Sequence, residues 1–76
     1  MIKIGMNIRK LRKKSKISME KLARKAETSV RTIWCLEHGR NLPTVNTLLK
    51  IAKALNVSVS KIFEDIDQEK HTTPVG

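Results

Sequence analysis

Cys35, His38 and His71 are the side chains of this 76-residue chain best suited to nucleophilic or metal chemistry, and their spacing supports neither. A nucleophile needs a base within hydrogen-bond reach and a third group to orient that base. The sequence offers no such set. Its cysteine stands alone, so no disulfide can form within the chain, and the two histidines lie far apart with no ligand cluster around them. The glycines do not make a phosphate-cradling loop. The expectation is a protein that is not an enzyme, with no cofactor and no metal. A chain this short also encloses no drug-sized pocket, so no small-molecule effector domain is expected.

The chemistry that remains is electrostatic. The formal net charge is +9 and the isoelectric point about 10.2. Residues 1–63 carry 15 basic and 3 acidic side chains, whereas residues 64–76 carry 1 basic and 4 acidic. A strongly basic body suits a polyanion, either nucleic acid or an anionic membrane surface. Trp34 and Phe63 are the only aromatics, too few for an RNA-binding sheet or a single-strand stacking platform. A membrane partner is disfavoured because no apolar run approaches the ~20 residues of a span and no long amphipathic helix carries bulky aromatics. With no signal-peptide pattern and a free cysteine, the expected location is the cytoplasm, at the nucleoid.

Basic groups act together only if a scaffold holds them, and the apolar residues repeat at three and four, the spacing of helices. A first helix is expected from about Met6 to Lys14, with Ile4, Ile8 and Leu11 on one face. Ser18 is a good N-cap for a second, which carries the small seam Leu22, Ala23 and Ala26. Ser29 (or Thr28) caps a third, which turns Ile33 and Leu36 inward and stops at Gly39. Thr44 caps a fourth with the stripe Val45, Leu48, Leu49, Ala52 and Leu55, ended by Asn56. Ser58 caps a short fifth with Val59, Ile62 and Phe63. This is a compact, all-α, five-helix domain over residues 1–65, followed by a flexible tail over 66–76.

The second and third helices are joined only by Ala26-Glu27-Thr28-Ser29. That short connection, leading into a helix with a polar outer edge, is a helix-turn-helix arrangement. In such a unit the second helix of the pair lies in the major groove, and the first crosses the backbone with its N-terminal amides toward a phosphate.

The ordered residues Ile8-Arg9-x-Leu11-Arg12, Ser18-x-Glu20-x-Leu22-Ala23, Ser29-x-x-x-Ile33-x-x-Leu36-Glu37-x-Gly39 and Pro43-x-x-x-x-Leu48-x-x-Ile51-Ala52-x-Ala54-Leu55-x-Val57 carry a resemblance. From Asn7 to Phe63 the chain resembles the phage repressor/Cro-type helix-turn-helix family, also called the xenobiotic-response-element family. The resemblance implies a lambda-repressor-like DNA-binding fold and a transcriptional regulator, a repressor in most readings, on double-stranded DNA.

The resemblance also implies residue roles. Base reading falls to Ser29, Val30, Arg31 and Thr32, with Trp34 and Cys35 one turn on. Arg31 can bond bidentately to guanine O6 and N7, and Val30 and Thr32 can pack on a thymine methyl. Trp34 either wedges against sugar and base or fills a gap against the second helix or a dimer partner. Cys35 stands where the family often has a polar base reader, though a small half-buried hydrophobe or a redox switch also fits. Phosphate contacts are expected from Arg9, Lys13, Lys16, Lys21, Arg24 and Lys25, and from His38, Arg40 and Asn41 in the loop after the third helix. The family's phosphate-bracing position at the start of the second helix holds Met19. Arg12 and Glu37 are implied to form a partly buried structural ion pair.

Two departures stand out. Glu27 replaces the glycine common in the turn, so it must adopt a left-handed conformation and places an acid toward DNA. Lys16 replaces another common glycine. A homodimer on a two-fold operator is expected, because one unit reads too few base pairs for useful specificity. The expected interface is Val59, Ile62, Phe63 and Ile66, with the alternative that Ile62 and Phe63 only finish the core of the monomer. The rival reading is an antitoxin-like regulator that uses the same fold to bind a protein partner.

Overall fold

Hydroxyl side chains set where three of the helices begin. Ser18, Ser29 and Thr44 sit in extended backbone, and their oxygens accept the N–H groups of Lys21, Thr32 and Thr47 at 3.0, 3.1 and 3.1 Å. Each bond satisfies one of the donors that a helix start leaves unpaired. In the computed structural model, which describes residues 3–64, the elements are α1 (Ile4–Lys14), α2 (Met19–Lys25), α3 (Val30–Glu37), α4 (Val45–Leu55) and α5 (Val59–Phe63). The described residues contain no strand. Helix α1 begins two residues earlier than the sequence pattern indicates, after Lys3, which offers no side-chain cap. Ser58 precedes α5 as expected, but its hydroxyl pairs with Ser60 Oγ at 2.9 Å instead of capping. The tail expected over 66–76 lies outside the described residues.

The first four helices end with one shared device. After α1, Lys16 N–H donates to Lys13 O (3.0 Å) and Ile17 N–H to Arg12 O (3.3 Å). The same crossed pair recurs after α2 (Glu27 to Arg24, Thr28 to Ala23), α3 (Gly39 to Leu36, Arg40 to Cys35) and α4 (Asn56 to Lys53, Val57 to Ala52). This is the Schellman geometry, which reclaims carbonyls that a helix end would otherwise strand. It requires a left-handed residue, and the four are Lys16 (φ 60°), Glu27 (φ 58°), Gly39 (φ 73°) and Asn56 (φ 60°). Glycine adopts this conformation freely and asparagine with little penalty, while a Cβ costs about 1–2 kcal/mol. Lys16 and Glu27 therefore carry strain that the other two ends avoid.

The core is shared by all five helices. Ile8, Leu22, Ile33, Ile51 and Ile62 are the largest fully buried side chains, with Ala23, Ala26 and Ala52 letting the helices approach closely. On α4 the buried face is Leu48, Ile51, Ala52 and Leu55. Val45 and Leu49 were expected on that face, but they are 74% and 51% exposed, while Ile51 is fully buried. The three-and-four spacing fits both registers, and the positions of α2 and α5 select the one that contains Ile51.

Three contacts lock α1 against the rest. The Arg12 guanidinium donates from Nε to Glu37 Oε2 (2.7 Å), from Nη2 to Glu37 Oε1 (3.1 Å) and from Nη1 to Ile17 O (2.9 Å). The side chains are only 11% and 1% exposed, so the pair lies in the interior. Gly5 passes so close to the end of α3 that a Cβ there would collide with Leu36 O. Asn7, buried in α1, donates from Nδ2 to Ile62 O (2.6 Å) and Glu64 O (2.5 Å), tying down the end of α5.

Replacing Glu37 by alanine leaves the Arg12 charge buried and unpaired, and is expected to cost roughly 3–5 kcal/mol. Urea unfolding that gives a loss below about 1 kcal/mol would contradict this. Glu27→Gly is expected to stabilise the domain by about 0.5–1 kcal/mol, since relief of the left-handed strain exceeds the extra freedom of an unfolded glycine. Its thermal midpoint should rise by a few degrees, and a fall would refute the strain assignment.

Candidate nucleic-acid interface

Inward and outward residues on α3 are sharply divided. Ile33, Leu36 and Glu37 are buried, while Val30, Arg31 and Trp34 are exposed and Thr32 and Cys35 are half-buried. The four-residue turn from α2 fixes the approach of α3, and the α2 side of that contact is built from Leu22, Ala23 and Ala26. The outward face of α3 is therefore presented on a rigid corner of the fold.

The expected base readers divide into two kinds. The hydroxyls of Ser29 and Thr32 lie 2.9 Å apart, and Ser29 Oγ also caps the helix, so both are already engaged. Arg31 and Val30 project from the first turn with no such commitment. Trp34 is 38% exposed. Its ring stacks on His38, with centroids 3.9 Å apart and planes within 19°. His38 is held in turn by a contact of 2.8 Å between Nδ1 and Trp34 O. Arg40, delivered by the Schellman turn, places its guanidinium carbon 5.4 Å from the Trp34 ring centre, within cation–π range. This three-residue stack was not anticipated from sequence, although the i, i+4 spacing of Trp34 and His38 permits it.

Arg9, Lys13, Lys16, Lys21, Arg24, Lys25, Arg31, His38, Arg40 and Asn41 are all exposed. None of the lysines and arginines in that group makes an ion pair among the described residues. The carboxylate of α3, Glu37, is buried against Arg12 and cannot offset them. Glu27, the acid expected to point toward DNA, places Oε1 3.4 Å from Lys50 Nζ of α4. Its charge is thus shared across the α2–α4 contact. The side chain of Met19, at the position expected to brace a phosphate, packs against the hydrophobic core.

The residues expected to form a dimer interface are redistributed as well. Ile62 is fully buried within its own protomer and Val59 packs against the core, because α5 closes the bundle over α1 and α4. Phe63 remains 38% exposed, and Ile66 lies outside the described residues. The apolar side chains left most open are Leu42 and Val45, followed by Leu49 on the same face of α4. None of the described helices is long and apolar enough to cross a membrane.

Residues 8–62 match the family model described as helix-turn-helix. An uncharacterised HTH-type transcriptional regulator, y4dJ of Sinorhizobium fredii, is 33% identical over 73 residues, which span 96% of this chain and 90% of that protein. Among solved structures, the DNA-binding domain of the P22 c2 repressor superposes with a TM-score of 0.79 at 32% identity, covering 86% of this chain and 87% of that one. The restriction-modification controller protein C.AhdI from Aeromonas hydrophila gives a TM-score of 0.79 at 27% identity, covering 82% of this chain and 94% of that one.

Proposed function

We propose that this chain, which belongs to the helix-turn-helix family, is a DNA-binding transcriptional regulator of repressor type that binds a two-fold operator as a homodimer. The observation that carries the reading is the outward face of α3, where Arg31 stands unpaired on a rigid helix whose carboxylate is buried elsewhere. Arginine is the side chain best matched to guanine in the major groove. Likeness to the P22 c2 repressor, solved with a synthetic operator, supports the same use of the helix here.

Around α3, Arg9, Lys13, Lys16 and Lys21 on one side and His38, Arg40 and Asn41 on the other supply phosphate contacts. These contacts orient the protein without reading sequence. Ser29 positions α3 through its cap, and Arg31 and Val30 carry base recognition. The dimer surface is placed on Leu42, Val45 and Leu49, and of the expected α5 residues it keeps Phe63. Val45 and Leu49 lie one turn apart on α4 and are both exposed, which supports a partner-facing surface there, and two copies double the length of DNA read.

Selection from randomised duplex DNA should return a two-fold consensus. Titration over a salt series should then give a log–log slope of about −0.9 per phosphate contacted. Arg31→Ala should relax one consensus position and cost about 1–3 kcal/mol per half-site. If all duplexes bind alike, sequence-specific repression fails and the protein-partner reading takes its place. Val45→Glu should shift the sedimentation coefficient toward that of a monomer and weaken operator binding while leaving the helical circular dichroism intact. An unchanged dimer would exclude the α4 surface.

A further inference from the structure

Arg40 is exposed, lies just beyond the end of α3 and makes no ion pair among the described residues. A long side chain in such a place ordinarily loses much of its rotamer freedom when it grips an anion, and that loss weakens binding. Two features of the structure restrict it beforehand. The Arg40 N–H donates to Cys35 O at 2.9 Å, which fixes the backbone from which the side chain departs. Its guanidinium carbon then lies 5.4 Å from the centre of the Trp34 ring, within the range in which an aromatic face attracts a cation.

The ring is itself held. His38 stacks on it with centroids 3.9 Å apart, and His38 Nδ1 lies 2.8 Å from Trp34 O. The support for the guanidinium therefore stands on α3, not on the loop. Trp34 and Arg40 line one shallow, mostly apolar groove with Val30, Arg31 and Cys35, so the held guanidinium is on the same side of α3 as Arg31. Attraction to the ring acts on the positive charge and engages no acceptor oxygen, which leaves the N–H donors of Arg40 for an anion.

We propose that Trp34 is a positioning residue for the DNA backbone contact of Arg40. The indole, clamped by His38, holds the guanidinium where it meets a phosphate, and Trp34 itself reads no base. The proposal rests on the DNA-binding reading of this face but not on sequence specificity. Phosphate contacts carry no sequence information directly, so the contribution of Trp34 is the same on every duplex. Removing the ring frees Arg40 and lowers affinity by about two- to five-fold per protomer, the value of an exposed cation–π contact.

Two measurements test it. In the free protein, the indole ring current should move the side-chain proton resonances of Arg40 upfield, and Trp34→Ala should abolish that shift. Titrations of the selected operator and of a random duplex with the unmodified chain, Trp34→Ala, Arg40→Ala and the double variant then form a cycle. Trp34→Ala should weaken both duplexes by the factor above, keep their ratio unchanged, and cost nothing further once Arg40 is alanine. Trp34→Phe, which keeps an aromatic face, should recover most of the loss, with circular dichroism checking that the helices persist in each variant. A loss confined to the operator would make Trp34 a base reader and overturn the proposal. A loss that persists without Arg40, or an unshifted Arg40, overturns it equally. A ring-current shift with no binding to any duplex sinks the DNA-binding reading, and the positioning role with it.

Discussion

Arg12 and Glu37 meet where α1 crosses the end of α3, and the carboxylate is shielded almost completely from water. A buried carboxylate has one favourable place to be, beside its cation, and any rotation of α3 about its axis would remove it from there. The rotation of α3 is what places Ile33 and Leu36 in the core and leaves Val30, Arg31 and Trp34 outside. The third hydrogen bond of the same guanidinium, to Ile17 O, anchors the loop that leads into α2. One arginine therefore fixes the relation between α1, the approach to α2 and the orientation of the outward face. Gly5 beneath Leu36 O lets the two helices come close enough for this to happen.

The connections are as constrained as the core. Four successive helices end in left-handed turns with crossed hydrogen bonds, so each chain reversal is compact and its direction is defined. At α3 the same turn delivers Arg40 over Trp34 and lets His38 stack on it. The helix-ending device and the construction of the outward surface are thus one piece of structure. At α2 the turn is kept with Glu27 despite its strain, and the side chain finds Lys50. An exposed pair of this kind contributes little to stability. Its consequence is to bring a cation beside the one acid of the turn.

Charge distribution follows the same division. The described carboxylates are occupied by Arg12, Lys50 and Lys61, apart from Glu20, while the lysines and arginines around α3 are left without acidic partners. Of the net charge of +9 on 76 residues, the cations around α3 are thus left uncompensated by a paired acid among the described residues. The apolar groove of Val30, Trp34 and Cys35 is bordered by two of these cations, Arg31 and Arg40.

Helical periodicity, the caps at Ser18, Ser29 and Thr44, the left-handed ends at Gly39 and Asn56, and an excess of cations over residues 1–63 can all be read from residue order alone. These are local: each depends on residues within one or two turns, so composition and spacing suffice to read them. The family pattern added the Arg12–Glu37 pair and the unusual turn at Glu27. The buried register of α4 is not legible in this way, because the three-and-four spacing permits two, and packing against α2 and α5 selects Ile51 over Val45 and Leu49. Packing likewise buries Ile62 fully in the core and sets the Met19 side chain against it. Asn7 reaching Ile62 O and Glu64 O joins residues more than fifty positions apart, and no local pattern announces it. Such contacts depend on how the helices sit against one another, which is settled by close packing of the whole bundle and not by the preference of any one segment.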